Sequence, residues 1–567
     1  MRRTKPPSSR SHKSRSQQAN RRLDLTAYAC AAVIFLFSIL LFAGNWQHDF
    51  VYDDQDIIKN NERIRSLRGL PKLFGSPYWG AVGNDGLYRP LTLTSYALNF
   101  SWSALSPSAY HVTNDIIHAV NAVLVFVLSS RLFGSTHLGL GAGLLFVVHP
   151  IHTEAVNWVV GRAELLATFF VLLACLAWMR LGIRQGGRIW KAGLAASLLS
   201  FMAILSKENG AAAFAAVVLL SYVSHPSEGD SRRQLADFLR RQWLLLVLLI
   251  GTAVCWMLLR GWAIGSQTQT ISEFDNPLAA ATLIQRVLTA LSMIPLWFGQ
   301  MILPVKFSVD YGPPVIPILT LPWDWKVWLG GSSLLGLLGA STYLLIRKSP
   351  LGFCLGLMLL GYLPTSNLIV PIGAVFAERF LYLPSVALCI LMAFGLFQLA
   401  GRRAAYILLA LICLGYGAQS WRRTLDWKDD TTLFAQEMQR PVPGLRSLRN
   451  YAKLMEKVDP QLSMNLYERV VSEFPSFAPG QLGFGTFLLG QKEYARALQH
   501  LEEADRLSPR NPSTLLNLGA AYANQNRWVE AVACWESVAR VDPGNRIAQL
   551  NLENARRFLR GGASPSR

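Results

Sequence analysis

Charged side chains are scarce in this sequence and make up 16% of its 567 residues, whereas a soluble domain typically has about 25%. Cysteine is also rare, with seven residues and no Cys-x-x-C pair, which excludes a disulfide scaffold and gives no zinc-ligand spacing. Acidic residues are the scarcer charge, 35 against 54 lysines and arginines. Hydrophobic residues reach 51% and are gathered in long runs. The composition therefore excludes a soluble enzyme and a disordered chain, and it predicts a polytopic membrane protein with basic cytoplasmic loops.

Twelve apolar runs are candidates for membrane spans. They cover residues 25–43, 114–132, 137–150, 163–181, 190–205, 209–223, 242–260, 286–303, 327–346, 351–370, 381–400 and 404–420. The segment before them, residues 1–22, carries eight basic residues and no acid, which places it in the cytoplasm. The later basic loops also lie in the cytoplasm only if one of the apolar runs before them does not span the membrane. The weakest run is 286–303, flanked by Pro295 and Pro304, so the sequence predicts eleven spans with the C-terminus outside.

The sequence changes character after residue 421, where charges become frequent and nearly balanced. Pro475, Pro509 and Pro543 are 34 residues apart, and the run from Leu518 to Tyr522 fits the tetratricopeptide pattern. The predicted fold class is all-α, a polytopic membrane helix bundle followed by an α-solenoid that takes a protein partner and no nucleic acid. The predicted organisation is a disordered basic cytoplasmic tail at 1–24, a transmembrane domain at 25–421 with a large outer loop at 45–113, a linker helix at 422–443, repeats at 444–477, 478–511 and 512–545 with a cap that ends at 560, and a disordered tail at 561–567.

The outer loop begins with Phe50-Val51-Tyr52-Asp53-Asp54, directly after the first apolar run. Two adjacent carboxylates beside a low-dielectric membrane raise one another's pKa. This arrangement suits a general base that faces a lipid-borne substrate. A solvated aspartate pair that caps a helix fits the same sequence.

A second polar segment reads His149-Pro150-Ile151-His152-Thr153-Glu154. His-x-x-His invites a metal site, but Pro150 prevents one helix face from holding both rings, and no third ligand is set by spacing. We therefore expect no metal, and hydrogen-bonding roles for His152 and Glu154.

Other polar residues lie within or at the ends of apolar runs. Asn114, His118 and Asn121 form a stripe on one helix face, which favours hydrogen bonds between helices over substrate contact. Ser206-Lys207-Glu208-Asn209 places a charged pair at a membrane boundary, either as an internal ion pair or as a substrate contact. Arg379 at the outer end of a run suits bidentate binding of a lipid phosphate, or simple interfacial anchoring.

Six motifs occur in order along the chain: F-V-Y-D-D, Y-R-P-L, Y-H-x-x-N-x-x-x-H-x-x-N, H-P-I-H-T-E-A-V-N-W, S-K-E-N and A-E-R-F-L-Y-L-P. With the 34-residue repeats behind them, they make the chain resemble a bacterial-type relative of the transmembrane and tetratricopeptide repeat-containing O-mannosyltransferases. That family belongs to the GT-C glycosyltransferases. The resemblance covers about residues 25–560 and departs from the eukaryotic pattern in its shorter repeat array.

The resemblance implies a membrane glycosyltransferase of GT-C type. It would move one sugar, mannose or another hexose, from a polyprenyl phosphate to a hydroxyl acceptor, such as Ser/Thr of exported proteins, on the outer face, with inversion and without a cofactor. Asp53 or Asp54 would take the acceptor proton, and Arg379 with Arg89 or Lys207 would hold the donor phosphate. The resemblance assigns orientation of the substrates to Tyr52, His152, Glu154, Glu208 and Glu378.

Alternative functions are a non-catalytic membrane-anchored repeat scaffold, a transporter, and a GT-C enzyme that acts on a glycan. A transporter is expected to show symmetry between its halves and polar interruptions at midplane depth. Charge in this chain is instead concentrated at the ends of the runs. A pure scaffold has no use for so many spans, so the sequence favours an enzyme.

Overall fold

The computed structural model describes residues 9–80, 86–182, 189–224, 231–265 and 271–559. Every regular element within these ranges is helical. The chain divides into two units. The first runs to Leu433 without Gly312–Val315, and the second consists of Gly312–Val315 and the residues from Phe434 onward.

The first unit is a bundle of apolar helices with shorter helices between them. Its α-helices are α1 (Ser9–Phe42), α2 (Leu70–Phe74), α3 (Pro90–Ser103), α4 (Pro107–Phe133), α5 (Thr136–Val148), α6 (Thr153–Asn157), α7 (Arg162–Leu181), α8 (Ile189–Ser206), α9 (Ala212–Val223), α10 (Ser231–Ile264), α11 (Leu283–Ser292), α12 (Ile294–Ile302), α13 (Trp325–Ile346), α14 (Pro350–Tyr362), α15 (Tyr382–Leu399) and α16 (Gly401–Asp426). A further helix, α17 (Asp430–Met438), begins in this unit and ends in the second.

The described residues contain eight helices that are long and apolar enough to cross a membrane, and three shorter apolar helices. These eight are fewer than the eleven predicted spans, because the three shorter helices, at the predicted runs 137–150, 209–223 and 351–370, fall below the usual spanning length of about 20 residues. The run at 286–303 is split into α11 and α12, of 10 and 9 residues, with Pro295 in the first turn of α12. Neither piece is long enough to span a bilayer. The predicted fold class, a polytopic helix bundle with a repeat solenoid, is confirmed.

Two segment boundaries differ from the expectation. The first helix begins at Ser9 rather than near Leu25, so residues 9–24 continue α1 instead of forming a disordered tail; this stretch contains Ala, Arg and Gln, which favour helices, and no proline. The outer loop at 45–113 contains α2 and α3, and α4 begins at Pro107, where proline suits the first turn. The remainder of the predicted N-terminal tail, residues 1–8, and the predicted tail at 561–567 lie outside the described residues.

A buried arginine joins the helices that carry the outer loop. Arg162, at the start of α7, is fully buried and donates to Asn114 Oδ1 at 2.7 Å, to Asn99 Oδ1 at 2.5 Å and to the Tyr110 carbonyl at 2.9 Å. Its guanidinium also lies over the Tyr96 ring at 4.8 Å. A buried charge is tolerated only when its donors are satisfied, so Arg162 fixes α3, α4 and α7 together.

The polar stripe of α4 forms hydrogen bonds between helices, as predicted. Asn121 donates to the Leu165 carbonyl at 3.0 Å, and the His118 ring lies 2.8 Å from the Tyr382 hydroxyl. Asn114, the third member, accepts from Arg162. The three side chains are fully buried, so these hydrogen bonds lie within the bundle.

The second unit is a stack of helix pairs. It contains α18 (Leu445–Met455), α19 (Pro460–Glu473), α20 (Ala478–Gly490), α21 (Tyr494–Leu507), α22 (Pro512–Asn524), α23 (Trp528–Val541) and α24 (Arg546–Leu559). Gly485 and Gly519 occupy the close approach within two of these pairs. A Cβ added at Gly485 would lie 2.7 Å from Leu501 Cγ, and one at Gly519 would lie 2.5 Å from Trp535 Nε1. The glycines therefore permit the tight helix pairing of the repeat.

Candidate active site

The two predicted catalytic aspartates have different surroundings. Asp54 is fully buried, and its carboxylate accepts from the backbone N–H of Val51 at 3.1 Å and of Val160 at 2.8 Å. Burial raises the pKa of Asp54 well above its usual range, and these backbone N–H groups counteract the shift. Asp53 is only half-buried. The two neighbouring aspartates therefore differ: the Asp54 carboxylate is enclosed and bonded to backbone N–H groups, and Asp53 is partly exposed.

The turn that carries Asp53 is held by aromatic packing. Tyr52 stacks on Trp158 with ring centroids 5.7 Å apart, and Trp158 stacks on Trp427 at 6.3 Å. Trp158 and Trp427 are almost completely buried. Trp158 contacts the Tyr52 ring directly, and Trp427, from a distant part of the chain, supports Trp158. Besides its predicted role toward the substrate, Tyr52 therefore fixes the turn that carries Asp53.

The chain that leaves α1 toward this turn is also anchored. Asp115 on α4 accepts from Asn45 Nδ2 at 3.0 Å and from Trp46 Nε1 at 2.8 Å. Asn45 also donates to Asn157 at 3.1 Å, and Asn157 donates to Thr424 on α16. This buried network ties the end of the first helix to α4, α6 and α16.

The predicted phosphate ligand Arg379 contacts the same tryptophan. Its guanidinium lies 4.8 Å from the centre of the Trp158 ring. Glu154 accepts from the Arg379 backbone N–H at 2.8 Å and from Arg379 Nη1. The carboxylate of Glu154 is 2% exposed and the Arg379 side chain 20%, so Glu154 orients the guanidinium while part of it stays open. In this position both carboxylate oxygens of Glu154 bond to Arg379.

The other two predicted phosphate ligands are also paired with carboxylates. Lys207 Nζ bonds to Glu164, whose second oxygen accepts from Asn209 Nδ2 at 2.7 Å. Arg89 donates from Nε and Nη2 to one oxygen of Glu208, at 2.9 and 2.7 Å. The predicted internal ion pair of the Ser206–Asn209 motif therefore involves partners elsewhere in the chain, because Lys207 pairs with Glu164 and Glu208 pairs with Arg89.

Phe380 connects two of the cations. Its ring lies 5.1 Å from the Arg379 guanidinium and 5.4 Å from Lys207 Nζ. Aromatic faces attract cations, more strongly when water is excluded. Arg379 and Lys207 are therefore neighbours on one ring, and of the three predicted phosphate ligands Arg379 has the most open side chain, because those of Arg89 and Lys207 are 13% and 9% exposed.

Two predicted orienting residues are buried and bonded within the protein, although one carboxylate oxygen of Glu378 has no hydrogen-bond partner among the described residues. The ring nitrogens of His152 lie 2.8 Å from the Phe146 carbonyl and 2.7 Å from the Ser385 hydroxyl, and the residue is fully buried. Glu378, also fully buried, accepts from the Ser308 N–H at 2.6 Å and from the Tyr311 hydroxyl at 2.8 Å. In these positions His152 ties α15 to α5, and Glu378 fixes the segment after α12.

Sequence reasoning did not select Glu164, Asn209, Trp158 and Asp430, which contact the selected residues. Asn209 and Trp158 stand within the quoted motifs, so their motif membership was an available signal. Glu164 and Asp430 gave no such signal in the sequence. Glu164 bonds to Lys207, 43 residues away, and Asp430 bonds to Tyr52, 378 residues away. No cluster of three or more metal-ligating side chains occurs among the described residues.

Residues 488–553 match the Tetratricopeptide repeat family. The chain is 29% identical over 554 residues to human Protein O-mannosyl-transferase TMTC3, with 91% of this chain and 56% of the relative covered. Mouse Protein O-mannosyl-transferase TMTC4 is 30% identical, with 71% of this chain and 60% of the relative covered. The chain therefore spans little more than half the length of these relatives.

A similar solved structure is the archaeal oligosaccharyltransferase AglB from Archaeoglobus fulgidus, in complex with an inhibitory peptide and a dolichol-phosphate. It is 14% identical, with a TM-score of 0.37, and the match covers 78% of this chain and 59% of that one. The names of the sequence relatives agree with the family that the six motifs and the repeats indicate. This chain is therefore a relative of the transmembrane and tetratricopeptide repeat-containing O-mannosyltransferases.

Proposed function

We propose that this protein is a GT-C glycosyltransferase that moves a single hexose, with mannose as first choice, from a polyprenyl phosphate to a hydroxyl of an exported protein. The observation that carries the proposal is that Trp158 contacts two candidate site groups. Its ring stacks on Tyr52, the neighbour of the half-buried Asp53, and it also contacts the guanidinium of Arg379. One group suits a general base and the other suits a phosphate. The names of the relatives support the choice of mannose.

The proposed reaction is a single displacement with inversion. The acceptor oxygen attacks the anomeric carbon while the bond from that carbon to the phosphate oxygen breaks. Asp53 takes the proton of the acceptor hydroxyl, and the electron pair of the broken bond leaves with the polyprenyl phosphate. Arg379 stabilises the charge that develops on this phosphate, with Lys207 beside it.

We place the site and the repeats on the outer, periplasmic side of the membrane and the N-terminus in the cytoplasm. The basic segment before the first span and the basic loops between later spans support this orientation. Asp53, Arg379 and Lys207 lie in the segments between the long helices, as expected for a site at the outer membrane surface. A scaffold or transporter gives no reason for this arrangement.

Deletion of the gene in its host tests the proposed function. Intact masses of exported proteins are compared between the wild type and the deletion strain. We expect a hexose increment to disappear from one or more proteins and to return when the gene is restored. Unchanged protein masses together with an altered surface glycan would identify a glycan as acceptor, and no change in either would contradict the proposal.

We expect transfer to continue in the presence of a chelator. A polyprenyl phosphate leaves as a monoester, whose charge Arg379 and Lys207 can stabilise as fixed cations. Initial rates are measured in membranes with and without EDTA. Loss of transfer on chelation, with recovery after addition of one divalent metal, would contradict this expectation and would point to His149, His152 and the aspartate pair as ligands.

Removal of the repeats is expected to spare donor use and to impair transfer to the native acceptor. A short helical stack offers one concave face for an extended peptide, and loss of that second contact typically lowers effective affinity by about tenfold or more. A chain that ends after Arg440 is compared with the full chain on the native acceptor and on a short hydroxyl peptide. Full transfer to the native acceptor by the shortened chain would assign the repeats to self-association instead. A reporter fused to the C-terminus and active only in the cytoplasm would overturn the orientation.

A further inference from the structure

The segment after the last span holds the segment after the first span at two points. The Lys428 carbonyl accepts from the Asp49 N–H at 2.9 Å. Two residues further along, Asp430 Oδ1 accepts from the Tyr52 N–H at 2.7 Å. These contacts lie within the first unit and join parts of the chain that are 378 residues apart.

Tyr52 needs such a contact because of its backbone conformation. Its φ is +54°, in the left-handed region that residues other than glycine, asparagine and aspartate rarely adopt. A strained residue of this kind persists only when its surroundings determine it. The Tyr52 N–H bonds to a carboxylate, and hydrogen bonds to charged acceptors are stronger than those between neutral groups.

The position of Asp53 follows from its two neighbours. On one side, the Tyr52 N–H is held by Asp430. On the other side, Asp54 is held by the N–H groups of Val51 and Val160. Asp53 therefore lies between two residues, Tyr52 and Asp54, that are held by hydrogen bonds. The direction of the Asp53 side chain depends on the φ value of Tyr52.

Asp430 and its neighbour Asp429 have different partners. Asp429 Oδ1 accepts from the Thr432 N–H at 2.7 Å and so caps the first turn of α17. Asp430 is half-buried, and its carboxylate bonds to Tyr52. Burial raises the pKa of Asp430, as do the charges of Asp49 and Asp429, whereas the Tyr52 N–H and the charge of Lys59 lower it. Asp429 therefore caps the helix, and Asp430 binds Tyr52.

We propose that Asp430 is a positioning residue for catalysis: its carboxylate holds Tyr52 in the left-handed conformation that points Asp53 at the acceptor hydroxyl. This inference rests on the proposed function, in which Asp53 is the general base. The start of α17 would therefore help to position a catalytic residue in a loop 378 residues earlier in the chain. The donor phosphate is held through Arg379 and Glu154, so loss of Asp430 is expected to act on turnover and not on donor binding.

The test uses the full chain in membranes and measures kcat and the KM for the donor. Asp430→Ala is expected to lower kcat by about 10- to 100-fold, because a displacement of about 1 Å in a reacting group has an effect of that order. The donor KM is expected to stay near the wild-type value. Asp430→Asn keeps an oxygen acceptor for the Tyr52 N–H and is expected to retain most of the activity. Asp429→Ala is the matched control, because it removes an aspartate from the same segment and leaves the Tyr52 contact in place.

Tyr52→Gly separates positioning from general stability. Glycine adopts a positive φ without strain, so Asp430→Ala in the Tyr52→Gly background is expected to lower kcat by less than about threefold, a non-additive result typical of residues in contact. The proposal is overturned by any of three results: equal losses in both backgrounds, a loss in Asp429→Ala as large as in Asp430→Ala, or an inactive Asp430→Asn of normal thermal stability. If Asp430→Ala alone does not fold, the same variant in the Tyr52→Gly background and Asp430→Asn decide the question. Absence of hexose transfer by the wild-type chain would instead refute the proposed function, independently of Asp430.

Discussion

Asp53→Asn is expected to lower hexose transfer by about 100-fold or more, the usual range for removal of a general base. Asparagine keeps the shape of the side chain and removes its capacity to take a proton. Asp53 is half-buried at the turn after α1, so the exchange does not alter a fully buried side chain. Initial rates are measured at saturating donor and acceptor, together with the amount of protein inserted in the membrane.

Asp54→Asn is the matched comparison for Asp53→Asn, because it makes the same carboxylate-to-amide exchange at the adjacent residue. An amide places an NH₂ group where one carboxylate oxygen accepts from Val51 or Val160. A buried N–H group that loses its acceptor costs about 1–3 kcal/mol, so this variant is expected to lose thermal stability. The assignment of the base to Asp53 is wrong if Asp53→Asn turns over normally while Asp54→Asn is stable and inactive.

The apolar runs predicted most of the membrane bundle. Hydropathy is a local property, so eight helices of spanning length and three shorter apolar helices appear at the predicted runs. Helix starts were less predictable, because the polar ends of helices carry no hydropathy signal. Residues 107–113 read as loop in the sequence and form the first two turns of α4 in the structure.

Motifs selected the site, but they did not show how its residues divide their tasks. Asp53 and Asp54 are equivalent in the sequence, and the difference arises from Val160, which follows Asp54 by 106 residues. Glu154 is predicted to orient a substrate, and no pattern in the sequence indicated its contact with Arg379, which lies 225 residues away. Pairings of this kind depend on the packing of distant helices, which residue spacing along the chain does not encode.

Arg379→Lys and Arg379→Ala are expected to weaken use of the donor. Lysine keeps the charge but lacks the planar fork that can bind Glu154 and a phosphate at once, and we expect the donor KM to rise by about tenfold, the effect of losing one charged hydrogen bond of about 1.5 kcal/mol. Alanine removes the phosphate contact and is expected to lower kcat/KM by about 100-fold or more. The donor-concentration dependence of transfer is measured for both variants. Arg402→Ala is the control, since Arg402 is exposed at the start of α16 and contributes charge alone.

Arg379→Ala also removes the guanidinium that neutralises Glu154 and leaves the backbone N–H contact in place. This second effect needs to be separated from donor binding. The carboxylate of Glu154 is 2% exposed, and removal of one member of a buried ion pair typically costs about 3–5 kcal/mol of stability. The double variant Arg379→Ala/Glu154→Gln removes the unpaired charge, so it is expected to regain thermal stability without regaining donor use. Recovery of both properties together would mean that Arg379 stabilises the fold and does not hold the phosphate. Unchanged donor curves in both single variants would reduce Arg379 to an anchor at the membrane surface.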